Sequence, residues 1–549
     1  MNQVSKQGLT RRGFVGGAAA AAAALGISRN ALAGPASKSD LRQHGFQDSA
    51  NVITIGTLGE ATSINPFLTN ESEGDFRCKM LFEQFVRVNG QTYAPTPGPG
   101  IASNWTNEGL VFTFEINPKA TFSDGTDVTA DDVAFTIEGF LNPKTASSRQ
   151  TKFNSIAGAK EYIDGTAANV SGLEVVDPKT LKITLAEPNA SFLFNLRYIF
   201  VVPKAQLEGK DLATDPWFQT PVGAGPFVFQ SWNNGGDFVA NKNPNYYQEG
   251  KPALDGFVHR VIADANSLVL ALQNNEIDGS VYPAPTLKDQ LEQNTDLEIL
   301  VPPFNSPNGW MFNLENEWLA KKEVRQAIAM AINVEQYAAD SLLGLGKPGV
   351  GPIAPDSWAF DAELKPLPYD PTKAKALLDE VGFPAGTKIR FNVNQGNVLR
   401  EDWLVFTQQA LQEVGIEVDA QPLEYATLVE AVTVNGDYDA TGVDFVGVTA
   451  DPGELYDQLL TGASGNYMNY SNPDLDALLE QVRVELDMEK AKELYKQIQA
   501  IVVDDVPDYF AWYRPFLHAV NKAKFTGYLG SNMEEGLFYD LEQFTVVAQ

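Results

Sequence analysis

The sequence predicts an α/β protein built from at least two unlike lobes. The chain has 549 residues, and a single hydrophobic core seldom extends beyond about 250–300 residues. Apolar residues alternate with polar ones at 112–116 and again at 389–393, as in half-buried strands. From residue 388 a strand, a helix and a second strand follow one another, an order typical of a βαβ unit in a partly parallel sheet.

The first 33 residues have the features of an export signal. A start containing two arginines precedes an apolar run over 14–27, and Ala-Leu-Ala at 31–33 supplies a small-x-small cleavage site. As a helix the run would measure about 21 Å, too short for a hydrocarbon core of about 30 Å. Thr-Arg-Arg-Gly-Phe at 10–14 resembles a twin-arginine signal, although general secretory signals also hold paired arginines. We expect a periplasmic or extracytoplasmic protein.

The net charge bears on the partners of the chain. It carries 70 acidic and 40 basic side chains, a formal charge of -30, and removing the four positive charges of the signal would leave about -34. Nucleic-acid binding rests on Lys and Arg that neutralise phosphates, and anionic lipid attracts basic surfaces. We expect no nucleic-acid partner and a self-repelling surface. Adaptation to salt and binding of a cationic solute are alternative causes of the acidity.

After a polar lead-in at 34–50, which we expect to be flexible, the elements follow from apolar spacing and caps. Val52-Ile53-Thr54-Ile55 reads as a first strand. Thr129, with Asp132 three residues later, is a capping box that begins a helix. Asp370 precedes Pro371 at a first helical position. The further predicted elements are strands near 181–185 and 416–419 and helices near 402–414, 475–482 and 494–502.

Motifs for catalysis and cofactors are absent from the sequence. It has three histidines, and no His-Glu-x-x-His, Gly-x-Ser-x-Gly or Walker A pattern. Gly-x-Gly-x-x-Gly at 344–349 follows a predicted helix rather than a strand, and Pro348 has no N–H for a pyrophosphate, so we expect a loop there. Cys78 has no second cysteine to pair with and is expected to be a small buried residue. We expect no catalytic residue, metal or cofactor, and, since no cysteine directly follows the cleavage site, no lipid anchor.

Several blocks in order along the chain resemble the extracellular solute-binding protein family 5, the peptide- and nickel-type receptors of ABC importers. The most specific is a strand, a Phe-Ser-Asp-Gly turn and a capped helix at 113–133. The resemblance covers about residues 50 to 528. The other blocks are Ser-Ile-Asn-Pro-Phe at 63–67, Pro-Val-Gly-Ala-Gly-Pro-Phe at 221–227, Asn-Pro-Asn-Tyr-Tyr at 243–247, and the segments 272–279, 324–332 and 369–382.

The resemblance implies a two-lobed periplasmic-binding-protein fold of type II with a hinged central cleft and an extra subdomain, as in the large cluster C proteins. On this basis the first lobe is expected to comprise 51–100, 220–306 and 526–549, with the extra subdomain at 101–219. The second lobe is expected at 307–525. Such receptors close on a solute and deliver it to membrane permease subunits, so the expected partners are a peptide or small-molecule solute and an ABC permease. We also expect a monomer.

One position departs from the family. Peptide-binding relatives place an aspartate a few residues before an Asp-Pro step, where it pairs with the amino terminus of the ligand. In this chain Val448 aligns with that acid, ahead of Asp451 and Pro452. Loss of one charge-assisted pair costs roughly 1.5–3 kcal/mol. The resemblance therefore leaves the solute open between a peptide, an oligosaccharide and a metal chelate. The alternatives from other classes are an exported enzyme and a structural or adhesive surface protein.

The candidate ligand-binding residues follow from the same alignment of elements. Arg400 opens a helix after a strand and could bind a carboxylate with two hydrogen bonds. Asp451 could bind the solute or cap the following helix. For each aromatic residue, packing within a lobe is as good an explanation as lining a pocket. The full set is Asn65, Phe67, Tyr282, Trp310, Asn313, Arg400, Asp444, Phe445, Asp451 and Trp512.

Overall fold

The computed structural model describes residues 51–281, 283–302, 307–342, 344–442, 451–513, 517–528 and 536–547. The expected signal at 1–33 and the lead-in at 34–50 lie outside these residues.

The first sheet has seven strands and forms the first lobe. Its central strand, Val52–Thr57, is buried along its whole length and runs parallel to the neighbours on both sides, while the outer pairings are antiparallel. Burial on both faces explains the apolar run that predicts this strand. In order across the sheet the strands are Leu297–Leu300, His518–Asn521, Gly279–Ser280, Val52–Thr57, Gly256–Val261, Asp237–Lys242 and Phe227–Trp232.

A four-stranded antiparallel sheet forms the subdomain of the first lobe. In strand Val111–Ile116, Phe112, Phe114 and Ile116 are buried while Glu115 is exposed, as the alternation predicts. Helix Ala130–Leu141 begins with the expected capping box. In order the strands are Ala102–Glu108, Val111–Ile116, Thr180–Thr184 and Leu173–Asp177.

The second lobe contains a six-stranded sheet. Strands Thr387–Asn394 and Ile416–Leu423 are parallel and joined by helix Val398–Val414, which confirms the predicted βαβ unit. Lys347–Pro348, within the segment that we expected to be a loop, is a short edge strand, where a proline breaks no ladder hydrogen bond. In order the strands are Lys347–Pro348, Asp508–Tyr513, Pro307–Phe312, Ala440–Thr441, Thr387–Asn394 and Ile416–Leu423.

Helices cover both lobes. Cys78 lies buried in Ser72–Leu81, as expected. The helices of the first lobe are Ser72–Leu81, Ala130–Leu141, Ala159–Ile163, Phe192–Asn195, Lys204–Leu207, Ala265–Gln273 and Lys288–Leu291. Those of the second lobe are Lys322–Ala331, Val334–Asp340, Pro371–Glu380, Val398–Val414, Tyr425–Glu430, Glu454–Leu459, Pro473–Val484 and Met488–Asp505. Two short antiparallel pairs join Arg87–Val88 to Pro95–Thr96 and Phe525–Thr526 to Thr545–Val546.

Among the described strands, the chain crosses twice between the two large sheets, and the strands that flank the two crossovers are paired with each other. Leu297–Leu300 pairs antiparallel with His518–Asn521 in the first sheet, and Pro307–Phe312 pairs antiparallel with Asp508–Tyr513 in the second. The sequence-based boundary places 517–525 in the second lobe, whereas the structure places His518–Asn521 in the first sheet. The last strand of the second sheet ends at Tyr513 and the next described strand, from His518, lies in the first sheet, so the change of lobe precedes the expected boundary at 526.

The apolar cores of the two lobes are separate. The clusters formed by the described buried residues each draw on one lobe: one gathers the first sheet and subdomain, and two others lie wholly within 310–512. Since burial of apolar surface is the main stabilising term of a folded domain, each lobe is stabilised largely by itself. The lobes can therefore move apart without exposing a core.

Candidate functional site

The facing surfaces of the two lobes approach each other closely after two strands. A Cβ added to Gly396, just after strand Thr387–Asn394, would lie 1.8 Å from the Ala263 carbonyl oxygen of the first lobe. A Cβ added to Gly59 would lie 2.6 Å from Cδ1 of Tyr425 in the second lobe. Only glycine permits such an approach. The structure therefore shows the lobes closed on each other.

Charged side chains join the lobes at the subdomain. Lys152 forms an ion pair with Glu454 and lies 3.7 Å from Asp457, both on the second lobe. The Tyr198 hydroxyl donates a hydrogen bond of 3.0 Å to Glu454, and Arg197 lies 3.9 Å from the same carboxylate. All five side chains are buried. We call Lys152, Arg197, Tyr198, Glu454 and Asp457 the interlobe ion cluster.

The pKa values show which members of the interlobe ion cluster are held ionised. Burial alone would lower the pKa of the Lys152 ammonium, but Glu454 and Asp457 raise it above its ordinary value. Burial would raise the pKa of Glu454, and Lys152 with Arg197 instead brings it below the ordinary value. For Asp457 burial dominates and raises the pKa. The Lys152–Glu454 pair is thus charged in the closed state.

Neutral hydrogen bonds surround the interlobe ion cluster. The hydroxyls of Thr151 and Ser464 lie 2.7 Å apart, and Ser464 also donates to the Ser148 carbonyl at 2.6 Å. The Ala190 N–H donates to the Arg483 carbonyl at 2.8 Å. Both lobes also line a cavity of about 30 Å³ here, about the volume of one or two waters. This face is therefore polar and closely packed.

Asp451 helps to build this face. Its Oδ1 accepts a hydrogen bond of 2.9 Å from the Gly453 N–H, immediately before helix Glu454–Leu459. It also bonds to Ser191 of the first lobe, and burial raises its pKa. A Cβ at Gly453 would lie 2.0 Å from the Ser191 hydroxyl. Asp451 thus shapes the turn before the helix and contacts the opposite lobe.

Asn65 and Phe67 are buried in the first lobe. The Asn65 amide donates to the Leu212 carbonyl at 2.7 Å, and its oxygen accepts from the Phe67 N–H at 3.0 Å. The Phe67 ring packs against Phe140 and Phe218 and has no exposed surface. Both side chains hold the loop after the first strand in place.

Trp310, Asn313 and Trp512 are buried in the second lobe. The Trp310 indole donates to the Thr407 hydroxyl at 2.9 Å, and Trp512 packs against Trp403. The Asn313 amide donates to the carbonyls of Gly436 and Tyr438, each at 3.1 Å. Packing within the lobe thus accounts for the described contacts of these residues.

Arg400 lies beside the strand end that approaches the first lobe. Its Nη1 donates to Oδ1 of Asn394 at 2.8 Å, and the residue is 9% exposed. A Cβ at Gly442 would lie 3.6 Å from Cζ3 of Trp310 and 3.8 Å from Cδ of Arg400, so the structure brings these two predicted residues together. Oδ1 of Asn392 is buried without a hydrogen-bond partner among the described residues. Tyr282, Asp444, Phe445 and Val448 lie outside the described residues.

Buried carboxylates stand at the start of helix Ser72–Leu81. Glu71 accepts hydrogen bonds from the N–H groups of Thr62 and Gly74 at 3.0 and 2.9 Å. Burial, with the neighbouring Glu73, raises the pKa of Glu71 to about 8. Burial also raises the pKa of Glu73, whose Oε1 accepts from the Thr57 hydroxyl at 3.0 Å. Glu71 therefore retains its proton near neutral pH.

Neither a metal centre nor a membrane span is found in the part of the chain that the structure describes. There, no three His, Cys, Asp or Glu side chains are grouped to bind a metal ion. Nor is any helix there long and apolar enough to cross a bilayer.

The family model for the middle region of the bacterial extracellular solute-binding proteins, family 5, matches residues 96–467. The chain is 28% identical to the oligopeptide-binding protein AppA of Bacillus subtilis over 498 residues, 87% of this chain and 88% of that protein. It is 28% identical to the glutathione-binding protein GsiB of Pectobacterium atrosepticum over 502 residues, 87% of this chain and 91% of that protein.

The fold is similar to that of the AppA complex with a nonapeptide, with a TM-score of 0.82 and 25% identity over 90% of this chain and 99% of that one. This similarity confirms the two-lobed fold predicted from the sequence. The members of the matching family bind solutes, which confirms that the chain is a receptor and not an enzyme. The match spans most of the chain, and the protein therefore belongs to family 5 of the bacterial extracellular solute-binding proteins.

Proposed function

We propose that this protein is the extracytoplasmic receptor of an ABC importer and that it binds a peptide or a polar solute of similar size. Separate apolar cores, joined by two adjacent crossovers and a polar interlobe face, carry the proposal. A solute that contacts both lobes stabilises the closed form because it gains contacts there that the open form lacks. The peptide class is favoured because AppA is named for oligopeptides and GsiB for glutathione, itself a tripeptide.

Arg400 is the described residue that we propose for contact with the solute. It donates a hydrogen bond to Asn394 at the end of the strand that leads to Gly396, where the lobes approach each other. A guanidinium can hold a carboxylate through two parallel hydrogen bonds. Arg400→Ala should weaken binding of a carboxylate solute at least about tenfold. Unchanged affinity would exclude this role.

Native mass spectrometry of the purified mature protein tests the proposed function. We expect a bound solute with the mass of a short peptide, and titration calorimetry with that peptide should restore binding after the solute is removed. Because Val448 replaces the expected aspartate, N-terminal acetylation of the peptide should change the affinity little. A bound sugar or chelate would support the receptor role but would show that the solute is not a peptide. Turnover of the bound compound would contradict the proposal.

Export by the twin-arginine route, a monomeric state and docking on a permease belong to the same proposal. The pentapeptide at 10–14 supports the export route. Replacing Arg11 and Arg12 together by Lys should stop export. Export that continues in the double variant would point to the general secretory route.

A further inference from the structure

The members of the interlobe ion cluster come from segments that the fold brings together only in the closed state. Lys152, Arg197 and Tyr198 belong to the subdomain of the first lobe, and Glu454 and Asp457 lie on one short helix of the second lobe. Each is at most 8% exposed. Because the Lys152 ammonium faces the Glu454 carboxylate, these two charges balance when the lobes are in contact.

Glu454 depends on the opposite lobe for its polar partners. Among the described residues, its carboxylate contacts Lys152, Arg197 and Tyr198, all from the first lobe. Arg149 is bound separately to Asp75, and its guanidinium lies 4.4 Å from the centre of the Tyr198 ring. When the lobes part, Glu454 exchanges these partners for water.

A buried ion pair that loses one member leaves an uncompensated charge, which is strongly unfavourable. In an ordinary core the charge is relieved only by a change in its protonation or by unfolding. Here the remaining charge regains water when the lobes separate, and the apolar cores stay intact. Removing one charge should therefore shift the balance between the open and closed forms while the folding stability of each lobe is unchanged.

We propose that the interlobe ion cluster sets the free energy of closure and makes the affinity for the solute depend on ionic strength. Dissolved ions screen the attraction between the separated lobes and stabilise the exposed charges of the open form. High salt therefore favours opening. The inference rests on the proposed function, since the solute reports on closure through its affinity.

The test compares Lys152→Met, Glu454→Gln and the double variant with the unchanged protein. Calorimetry measures the affinity for the co-purified solute at about 50 and 500 mM NaCl. Each single variant should bind at least about tenfold more weakly. The double variant should regain part of the loss and lose most of the salt dependence, because no unpaired charge remains at Lys152 or Glu454. Thermal unfolding without solute should be the same for all.

Lys160→Met is the matched control, since Lys160 pairs with Asp164 at 3.0 Å on the same subdomain but is 82% exposed. It should leave affinity and salt dependence unchanged. Parent-like binding by both single variants, or equal losses in the control, would overturn the inference. Should the unchanged protein bind no solute, the proposed function fails instead. Dipolar spectroscopy with one label on each lobe then still tests the cluster, because Glu454→Gln should lower the closed fraction; an unchanged fraction would refute it.

Discussion

Gly396→Ala should weaken closure of the lobes on the solute by more than it weakens folding. Gly396 has a φ of +82°, and an added Cβ would lie 1.8 Å from the Ala263 carbonyl oxygen across the interlobe face. Two costs follow from one methyl group. The left-handed backbone costs an alanine about 1–2 kcal/mol in both the open and the closed form. The clash with Ala263 exists only in the closed form.

The size of the effect follows from the geometry. Real Cβ atoms do not approach other heavy atoms closer than 3.0 Å, so the lobes would have to stay more than about 1.2 Å further apart. A displacement of this size breaks close contacts at the interlobe face. We expect the affinity for the solute to fall about 10- to 100-fold, which corresponds to about 1.4–2.8 kcal/mol.

Gly386→Ala is the matched control. Gly386 lies in the same lobe with a φ of +80°, and nothing lies within 4 Å of an added Cβ. Both variants should lose the same folding stability in chemical denaturation, and only Gly396→Ala should lose affinity by calorimetry. If the two variants bind the solute equally well, the closed arrangement of this structure is not the one that binds it.

Two further substitutions, at Glu71 and Trp310, test the interiors of the lobes and should change stability rather than solute binding. Burial raises the pKa of Glu71 from 4.5 to about 8, so between pH 4.5 and about 8 the folded state binds more protons than the unfolded state. The free energy of unfolding should therefore fall as pH rises through this range, by at most about 1.4 kcal/mol per pH unit. Glu71→Gln should flatten this pH dependence in thermal unfolding from pH 5 to 8. An unchanged pH dependence would mean that a group other than Glu71 causes it. Trp310→Phe removes the hydrogen bond to Thr407 and should cost about 1–3 kcal/mol in chemical denaturation with affinity unchanged. Lost binding with intact stability would instead make Trp310 part of the solute site.

The elements that the sequence predicts well are those specified by neighbouring residues. Thr129 and Asp132 form the predicted capping box, and Asp370 caps the helix that begins at Pro371. The alternation at 389–393 marks a strand whose parallel partner follows the next helix. In these cases a few consecutive side chains determine the local backbone conformation.

The lobe boundary and the role of Trp512 depend on distant parts of the chain. Nothing near His518 indicates that its strand pairs with Leu297–Leu300 of the first lobe. Tryptophan is a residue type common in binding pockets, but the ring of Trp512 packs against Trp403, more than a hundred positions earlier. Aromatic character alone does not distinguish a core from a binding surface.

The interlobe ion cluster has no signal in the sequence. Lys152 and Glu454 are about 300 residues apart, and in an acidic chain with 110 charged side chains neither stands out. Ion pairs of this kind are set by the approach of whole lobes. A prediction from sequence would therefore need the tertiary contact first.

Small-angle X-ray scattering before and after addition of the co-purified solute tests the central claim most directly. Protein stripped of solute should have a larger radius of gyration than the complex, because the lobes part about the two adjacent crossovers. Addition of solute should restore a scattering curve that matches the closed structure. A radius that is identical with and without bound solute would contradict closure of the lobes on the solute.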